Sequence, residues 1–282
     1  ADKEGKPMNS VWALGRSEVE PFPTLMGTHD VEVVIVGGGI TGLATAKILS
    51  DSGSRVAVVE AWRLGSGVTG NSTGNLYSTL SQGLSPLAEK WDEEVVRRVV
   101  DRRRKGLATI QHNVESLGIQ CDFARRPLYM GVGQGGRNQI AMLEEEFRLA
   151  RAAGLQCQLL DVGAGMPLPM SSVLRIDDQA QFHPLQYCDG LARALARSGV
   201  SLYENSPVID IDAAAGSVRT AHGELRGNYI VLATHTPKGI NMVQAEMEPY
   251  REHGLSARLQ NEFAAPGIYW MLDDSVSLRS MR

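Results

Sequence analysis

With 282 residues the chain is long enough for about two domains and a substantial core, and a formal charge of −4 gives no reason to expect nucleic acid or an anionic membrane as partner. Cys121, Cys157 and Cys188 lie far apart and include no C-x-x-C or C-x-H pair, so they cannot build a zinc or Rieske site by themselves. That sparse, odd count fits a reducing, cytoplasmic compartment. No apolar run approaches the ~20 residues that span a bilayer, and no signal-peptide core is visible.

Residues 1–27 carry Pro7, Pro21 and Pro23 among scattered charges and read as an extended arm, which Trp12 and Phe22 could pin to the body. The stretch 31–60, VEVVIVGGGITGLATAKILSDSGSRVAVVE, then reads as buried strand, glycine turn, helix, second strand and closing carboxylate. Gly37, Gly39 and Gly42 hold the G-x-G-x-x-G spacing of a dinucleotide-binding βαβ unit. The first glycine permits the sharp turn, the second lets backbone approach a pyrophosphate, and the third lets helix and strand pack closely. The helix N-terminus offers its N–H groups and positive dipole end to the phosphates. Glu60 stands where a carboxylate can accept hydrogen bonds from a ribose.

Residues 61–80, AWRLGSGVTGNSTGNLYSTL, are dense in Gly, Ser, Thr and Asn and almost free of charge. By composition they suit a flexible linker; by position, a loop bringing backbone donors to a ligand's phosphate tail or ring. Helical spacing follows over 85–118, where the basic cluster Arg97, Arg98, Arg102, Arg103, Arg104 and Lys105 reads as a solvated face. Residues 121–132 have strand character broken by Pro127. A helix is expected over 137–153, strands over 174–176 and 179–182, and a helix over 184–198. Strands over 199–203 and 208–213, a hairpin turning at His222-Gly223, and a buried-looking strand over 229–233 complete the pattern.

These residues resemble the FAD-dependent oxidoreductases of the D-amino-acid-oxidase-like (DAO) family. The likeness rests on VVIVGGGITGLATAKILSDSGSRVAVVE with the RLGSGVTGNSTG loop, on FHPLQYCDGLARALARSGVSLYENSPVIDI, and on YIVLATHTP. Within the family it is nearest to bacterial gamma-glutamylputrescine-oxidoreductase-like members that carry a C-terminal Rieske domain. The resemblance implies an α/β fold: a Rossmann-like FAD-binding domain from 28–85 and 178–240, interleaved with a mixed α+β substrate domain from 86–177 and 241–282. It also implies a chain that is incomplete at its C-terminus, since family members continue past SVSLRSMR.

By the same resemblance FAD would be held by Gly37, Gly39, Ile40, Thr41 and Gly42 at the pyrophosphate and by Glu60 and Ala61 at the adenosine. Thr69, Asn71, Ser72, Thr73, Gly74 and Asn75 would line the ribityl and flavin segment, with Val208, Ala233 and Thr234 completing the ADP side. His235 departs from the family's usual glycine, which puts that backbone in question. The implied reaction oxidises a small amine or amino acid by hydride transfer to flavin N5, with an electron acceptor or Rieske module outside this chain. An NAD-linked dehydrogenase and a non-catalytic nucleotide-binding protein are the alternatives. No catalytic residue or metal site is assignable: His183 reads as structural, Arg251, Arg258 and Arg279 could meet a substrate carboxylate or be structural, and Tyr250, Tyr269 and Trp270 could line a pocket or belong to a sheet.

Overall fold

A computed structural model describes residues 10–13, 20–133, 137–161, 166–235, 254–257, 266–272 and 276–280. Tyr250, Arg251 and Arg258 lie outside them. In chain order the elements are β1 (Gly27–Asp30), β2 (Val33–Val36), α1 (Ile40–Asp51), β3 (Val56–Val59), β4 (Asn75–Leu76), α2 (Ser85–Lys90), α3 (Glu93–Leu117), β5 (Ala124–Val132), α4 (Arg137–Ala152), β6 (Cys157–Asp161) and β7 (Ser172–Gln181). Then come α5 (Pro184–Arg197), β8 (Ser201–Tyr203), β9 (Val208–Asp212), β10 (Ser217–Thr220), β11 (Gly223–Arg226), β12 (Tyr229–Leu232), β13 (Ile268–Met271) and β14 (Val276–Arg279). They fall into two compact units, each threaded by several chain passages.

The first unit takes the described parts of 1–73, 117–121 and 183–256. Its central sheet, ordered β12-β2-β3-β8, is parallel throughout. β2 (VVIV) and β3 (VAVV) are buried at every position, as continuous β-branched runs in a sheet covered on both faces should be. A second sheet, ordered β1-β11-β10-β9, contains the expected hairpin as the antiparallel pair β10–β11. Leu25, Val34, Val36, Ala57, Val59, Val218 and Leu225 form one buried cluster that draws on both sheets.

The arm is pinned as the sequence suggests. Trp12 is buried, its indole N–H donates to the Ser72 carbonyl at 2.8 Å, and its ring lies 4.8 Å from that of His183. The Phe22 N–H donates to Glu204 Oε2 at 2.9 Å.

The second unit takes the described parts of 74–116, 122–182 and 257–282. Its sheet runs β14-β13-β5-β7-β4, with β6 also paired to β7. Alternation along β5 divides the apolar side chains: Leu128, Met130 and Val132 join a core with α2, α3 and α4, whereas Tyr129 packs with Val173, Tyr269 and Met271.

Two sequence expectations change here. The helix expected over 85–118 is two helices, because Trp91 leaves helical geometry (φ −125°, ψ −128°) and Asp92 restarts it, its Oδ1 accepting the Val95 N–H at 2.8 Å. The two strands expected over 174–176 and 179–182 are the single strand β7. Its pairing with β5 shifts register opposite Pro127, where Asp178 takes φ +58°. Proline has no N–H to give the ladder, so the partner bulges there instead of ending.

Candidate cofactor site

The C-terminal ends of β2, β3 and β12 gather most of the expected residues within the first unit. Gly37 follows β2 with φ +108°, and a Cβ there would sit 2.5 Å from the Ala233 carbonyl oxygen. Ala233 in turn donates its N–H to the Val36 carbonyl, and Thr234 N would lie 3.3 Å from the same Cβ. A Cβ on Gly42 would approach the Gly37 carbonyl oxygen to 1.9 Å, so α1 lies directly on the turn. Any side chain at either position would fill this cradle.

Gly39 is the N-cap of α1. A helix leaves its first N–H groups without intrahelical partners. Here the Thr69 hydroxyl takes one of them, accepting from the Ile40 N–H at 3.1 Å. Thr41 is exposed beside it. Glu60, directly after β3, is half-buried; its Oε2 accepts the Gly38 N–H at 2.7 Å and its Oε1 the Trp62 N–H at 3.0 Å. A carboxylate so fixed has lone pairs left for a diol.

Ala61 lines a cavity in the same unit. Val208 opens β9, half-buried against the cluster formed by both sheets. The loop after β3 is held by its own bonds: Asn71 Nδ2 donates to the Gly67 carbonyl at 2.8 Å and the Ser72 hydroxyl to the Thr69 carbonyl at 2.9 Å. Asn71, Ser72 and Thr73 are exposed. Gly74 and Asn75 belong to the second unit, where Asn75 opposes Gln181 in register.

The other candidates take structural places. His183 is the N-cap of α5, its Nδ1 accepting the Gln186 N–H at 3.3 Å. Arg279 donates from Nη1 to the carbonyls of Gly74 (2.8 Å) and Phe182 (3.3 Å). Burial pulls its guanidinium down to about 10, with Asp122 opposing the shift and Arg126 adding to it. Tyr269 and Trp270 are strand residues of β13, and Tyr269 stacks on Tyr129 at 5.1 Å and 11°.

Sequence reasoning missed Glu204. It is 1% exposed, accepts the Leu64 N–H at 2.7 Å and pairs with Arg63 Nε at 2.9 Å, tying the loop after β3 to the arm. A lone Glu at the end of a short strand carries no motif, so no signal could have singled it out. His235, where the family pattern has glycine, takes φ +64°, the left-handed conformation that glycine adopts freely.

The βαβ unit with its glycine turn and the parallel sheet define a Rossmann-like, dinucleotide-binding type of fold. The chain belongs to the DAO family, described as FAD dependent oxidoreductase, whose family model matches residues 32–278. The cofactor of that family is FAD. The chain is similar to gamma-glutamylputrescine oxidoreductase of Escherichia coli K12, with 29% identity over 231 residues, covering 80% of this chain and 54% of that protein. It is similar also to the putative Rieske 2Fe-2S iron-sulfur protein YhfW of Bacillus subtilis, with 25% identity over 270 residues, covering 93% and 52%. Among solved structures, glycine oxidase from Geobacillus kaustophilus shares the fold with a TM-score of 0.57 and 24% identity, over 73% of this chain and 55% of that one. The chain spans about half the length of the curated relatives it matches. Among the described residues no helix is long and apolar enough to cross a membrane.

Proposed function

We propose that this chain supplies the FAD-binding part of an enzyme that oxidises a small amine or amino acid. The observation that carries the reading is Glu60, held at both carboxylate oxygens by the backbone of the glycine turn and of its own loop, at the C-terminal end of a parallel sheet. That is where open α/β sheets bind their ligands. The fit extends to the cradle: Gly37 and Gly42 leave no room for a Cβ, and the α1 N-terminus stands beside them.

In this reading the first unit binds FAD, with Gly37, Gly39, Ile40, Thr41 and Gly42 at the pyrophosphate and Glu60 and Ala61 at the adenosine. Thr69, Asn71, Ser72 and Thr73 serve the ribityl and ring segment, Gly74 and Asn75 falling instead in the second unit; Val208, Ala233 and Thr234 complete the nucleotide side. The second unit serves the substrate. Bound FAD supplies a two-electron acceptor for a hydride from the carbon next to the amine nitrogen. The protein's part is to bind, orient and exclude water, so no nucleophile or metal constellation is required. The enzyme works in the cytoplasm and passes its electrons to an acceptor outside this chain, a Rieske module being one candidate.

Anaerobic reduction tests it. The protein should bind FAD, turn yellow and be bleached by at least one member of a panel of amines and amino acids. Bound flavin that dithionite reduces but no amine does would make this a non-catalytic flavoprotein. A colourless protein that takes up NADH would make it an NAD-linked dehydrogenase.

A further inference from the structure

The arm ahead of the family-matched residues 32–278 is fastened to the first unit at two separate places. Near β1, the Phe22 N–H donates to Glu204 Oε2 (2.9 Å), the Glu204 N–H to the Pro23 carbonyl (3.2 Å) and the Leu25 N–H to the Ser206 hydroxyl (2.9 Å). Leu25 is fully buried there, so this end of the arm holds without Trp12. The second fastening is Trp12 itself, on the loop after β3. Its ring is set against His183 at the start of α5, and its indole N–H donates to the Ser72 carbonyl at 2.8 Å. Ser72 closes a short helical turn over Thr69–Asn71. The buried edge of that turn is fixed at Gly70, where a Cβ would meet Leu185 of α5 at 2.9 Å, and its first residue by the Thr69 hydroxyl at the Ile40 N–H. The indole takes hold of the exposed edge, Asn71 to Thr73, just before the chain passes into the second unit at Gly74.

We infer that Trp12 is a positioning residue for the cofactor: by holding the Ser72 carbonyl it keeps Thr69, Asn71, Ser72 and Thr73 arranged for the ribityl and ring segment. The inference rests on reading the first unit as an FAD-binding unit, and adds a residue from outside the βαβ unit and its loop. The physical basis is preorganisation. A loop with a loose edge must be ordered when its ligand binds, and the cost of that ordering is subtracted from affinity. The loop's own bonds, Asn71 Nδ2 to the Gly67 carbonyl and the Ser72 hydroxyl to the Thr69 carbonyl, shape the turn without tying its exposed edge to the body. Trp12 supplies that tie. It is 5% exposed, so water replaces its N–H poorly when the donor is removed. The effect is selective. In the same reading Gly37 and Glu60 serve the pyrophosphate and adenosine, and their bonds run to Val59, Gly38, Trp62 and Tyr203 rather than to Trp12. Trp12 therefore matters to a ligand that carries a ribityl chain and flavin, and not to ADP.

The test titrates the flavin-free 282-residue chain with FAD and with ADP, as wild type, Trp12→Phe and Trp12→Ala. Trp12→Phe keeps a ring against His183 and loses the N–H donor, so FAD should bind it roughly threefold to tenfold more weakly. Trp12→Ala should lose at least as much. ADP should bind both variants within about twofold of wild type. A role confined to stability would lower the denaturant midpoint but leave the ratio of FAD to ADP affinity where wild type has it. Wild type that binds no FAD would overturn the FAD-binding reading, and this inference with it. Wild type that binds FAD, with FAD affinity in Trp12→Phe within about twofold, would overturn this inference alone. Equal losses of FAD and ADP would overturn it too, by marking the indole as general support for the fold. Should Trp12→Ala fail to fold, the comparison of wild type with Trp12→Phe decides.

Discussion

Glu60 Oε2 accepts the Gly38 N–H at 2.7 Å, so the acidic residue that closes β3 is oriented by the glycine turn that follows β2. The carboxylate is thereby fixed before any ligand arrives, and a ribose contact would cost little reorganisation. Glu60→Ala removes that charge-assisted contact, and FAD affinity should fall by ~1.5–3 kcal/mol. Glu60→Gln keeps one acceptor but turns an N–H₂ toward the Gly38 or the Trp62 N–H, so it should lose affinity as well. Fluorescence titration of flavin into the flavin-free protein measures both. An alanine variant that binds like wild type would remove Glu60 from the site.

Gly42 and Gly39 should respond differently to alanine. The added methyl at Gly42 meets the Gly37 carbonyl oxygen at 1.9 Å, backbone that can yield only if the turn opens. At Gly39 it meets the Thr69 hydroxyl at 3.0 Å, a side-chain end that can turn away at the cost of its bond from the Ile40 N–H. Overpacking of the first kind costs ~1–3 kcal/mol or more. Denaturant midpoints should therefore drop further for Gly42→Ala than for Gly39→Ala. Equal drops would contradict the close packing of α1 on the turn.

The first unit was largely legible because its signals are local. A buried β-branched run, fixed glycine spacing and a carboxylate after the next strand each dictate geometry within a few residues. The β10–β11 hairpin and the existence of β12 were legible for the same reason, but β12 is not the buried strand expected: among the described residues it stands at the end of its sheet, with Tyr229 and Leu232 exposed. The second unit was less so. The break at Trp91 depends on one aspartate capping the next helix, and the continuity of β7 depends on Pro127 in a neighbouring strand. Glu204 is long-range altogether: its partners Phe22, Arg63 and Leu64 come from two distant passages of chain. No periodicity encodes such a meeting.

Glu204 is also where a single substitution should loosen the loop after β3. Its two oxygens serve Phe22 N–H, Leu64 N–H and the Arg63 guanidinium. Glu204→Gln puts an N–H₂ where one acceptor was needed, leaving a buried donor facing another donor. A loss of ~1–3 kcal/mol is expected. Because Leu64 covers Gly38, FAD affinity should fall with it. A variant with wild-type midpoint and wild-type FAD affinity would show that this node carries no weight.

Alkaline pH should weaken the second unit through Tyr269. Burial, with Tyr129 as a lesser cause, raises its phenol from 10.0 to about 12. A folded value above the unfolded one means that folding favours the protonated phenol. The contribution is whole below the unfolded value of 10.0 and is lost as pH rises through about 12. Arg279, lowered to about 10, works with the opposite sign over a similar range, but it is common to wild type and Tyr269→Phe. The difference between those two therefore isolates the phenol. Tyr269→Phe should lose less stability than wild type across that window, and the ultraviolet titration of wild type should show a late-titrating tyrosine that the variant lacks. Parallel pH profiles would contradict the assignment.

His235 sits at φ +64° with an exposed side chain, two residues beyond Ala233, whose carbonyl lies over Gly37 just after β12 ends. A left-handed backbone costs a non-glycine residue ~1–2 kcal/mol, although histidine tolerates the region better than most. Replacing it by glycine removes that strain but adds ~0.5–1 kcal/mol of unfolded-state entropy, so against wild type the gain should be small. The informative comparison is His235→Gly against His235→Ala. Both lose the imidazole, but only alanine keeps the strain, so the glycine variant should be the more stable by about 1 kcal/mol. Were alanine the more stable, the turn would have to relax out of the left-handed region when the imidazole is gone. The histidine itself, rather than the packing of Ala233 on Gly37, would then be what holds the backbone there.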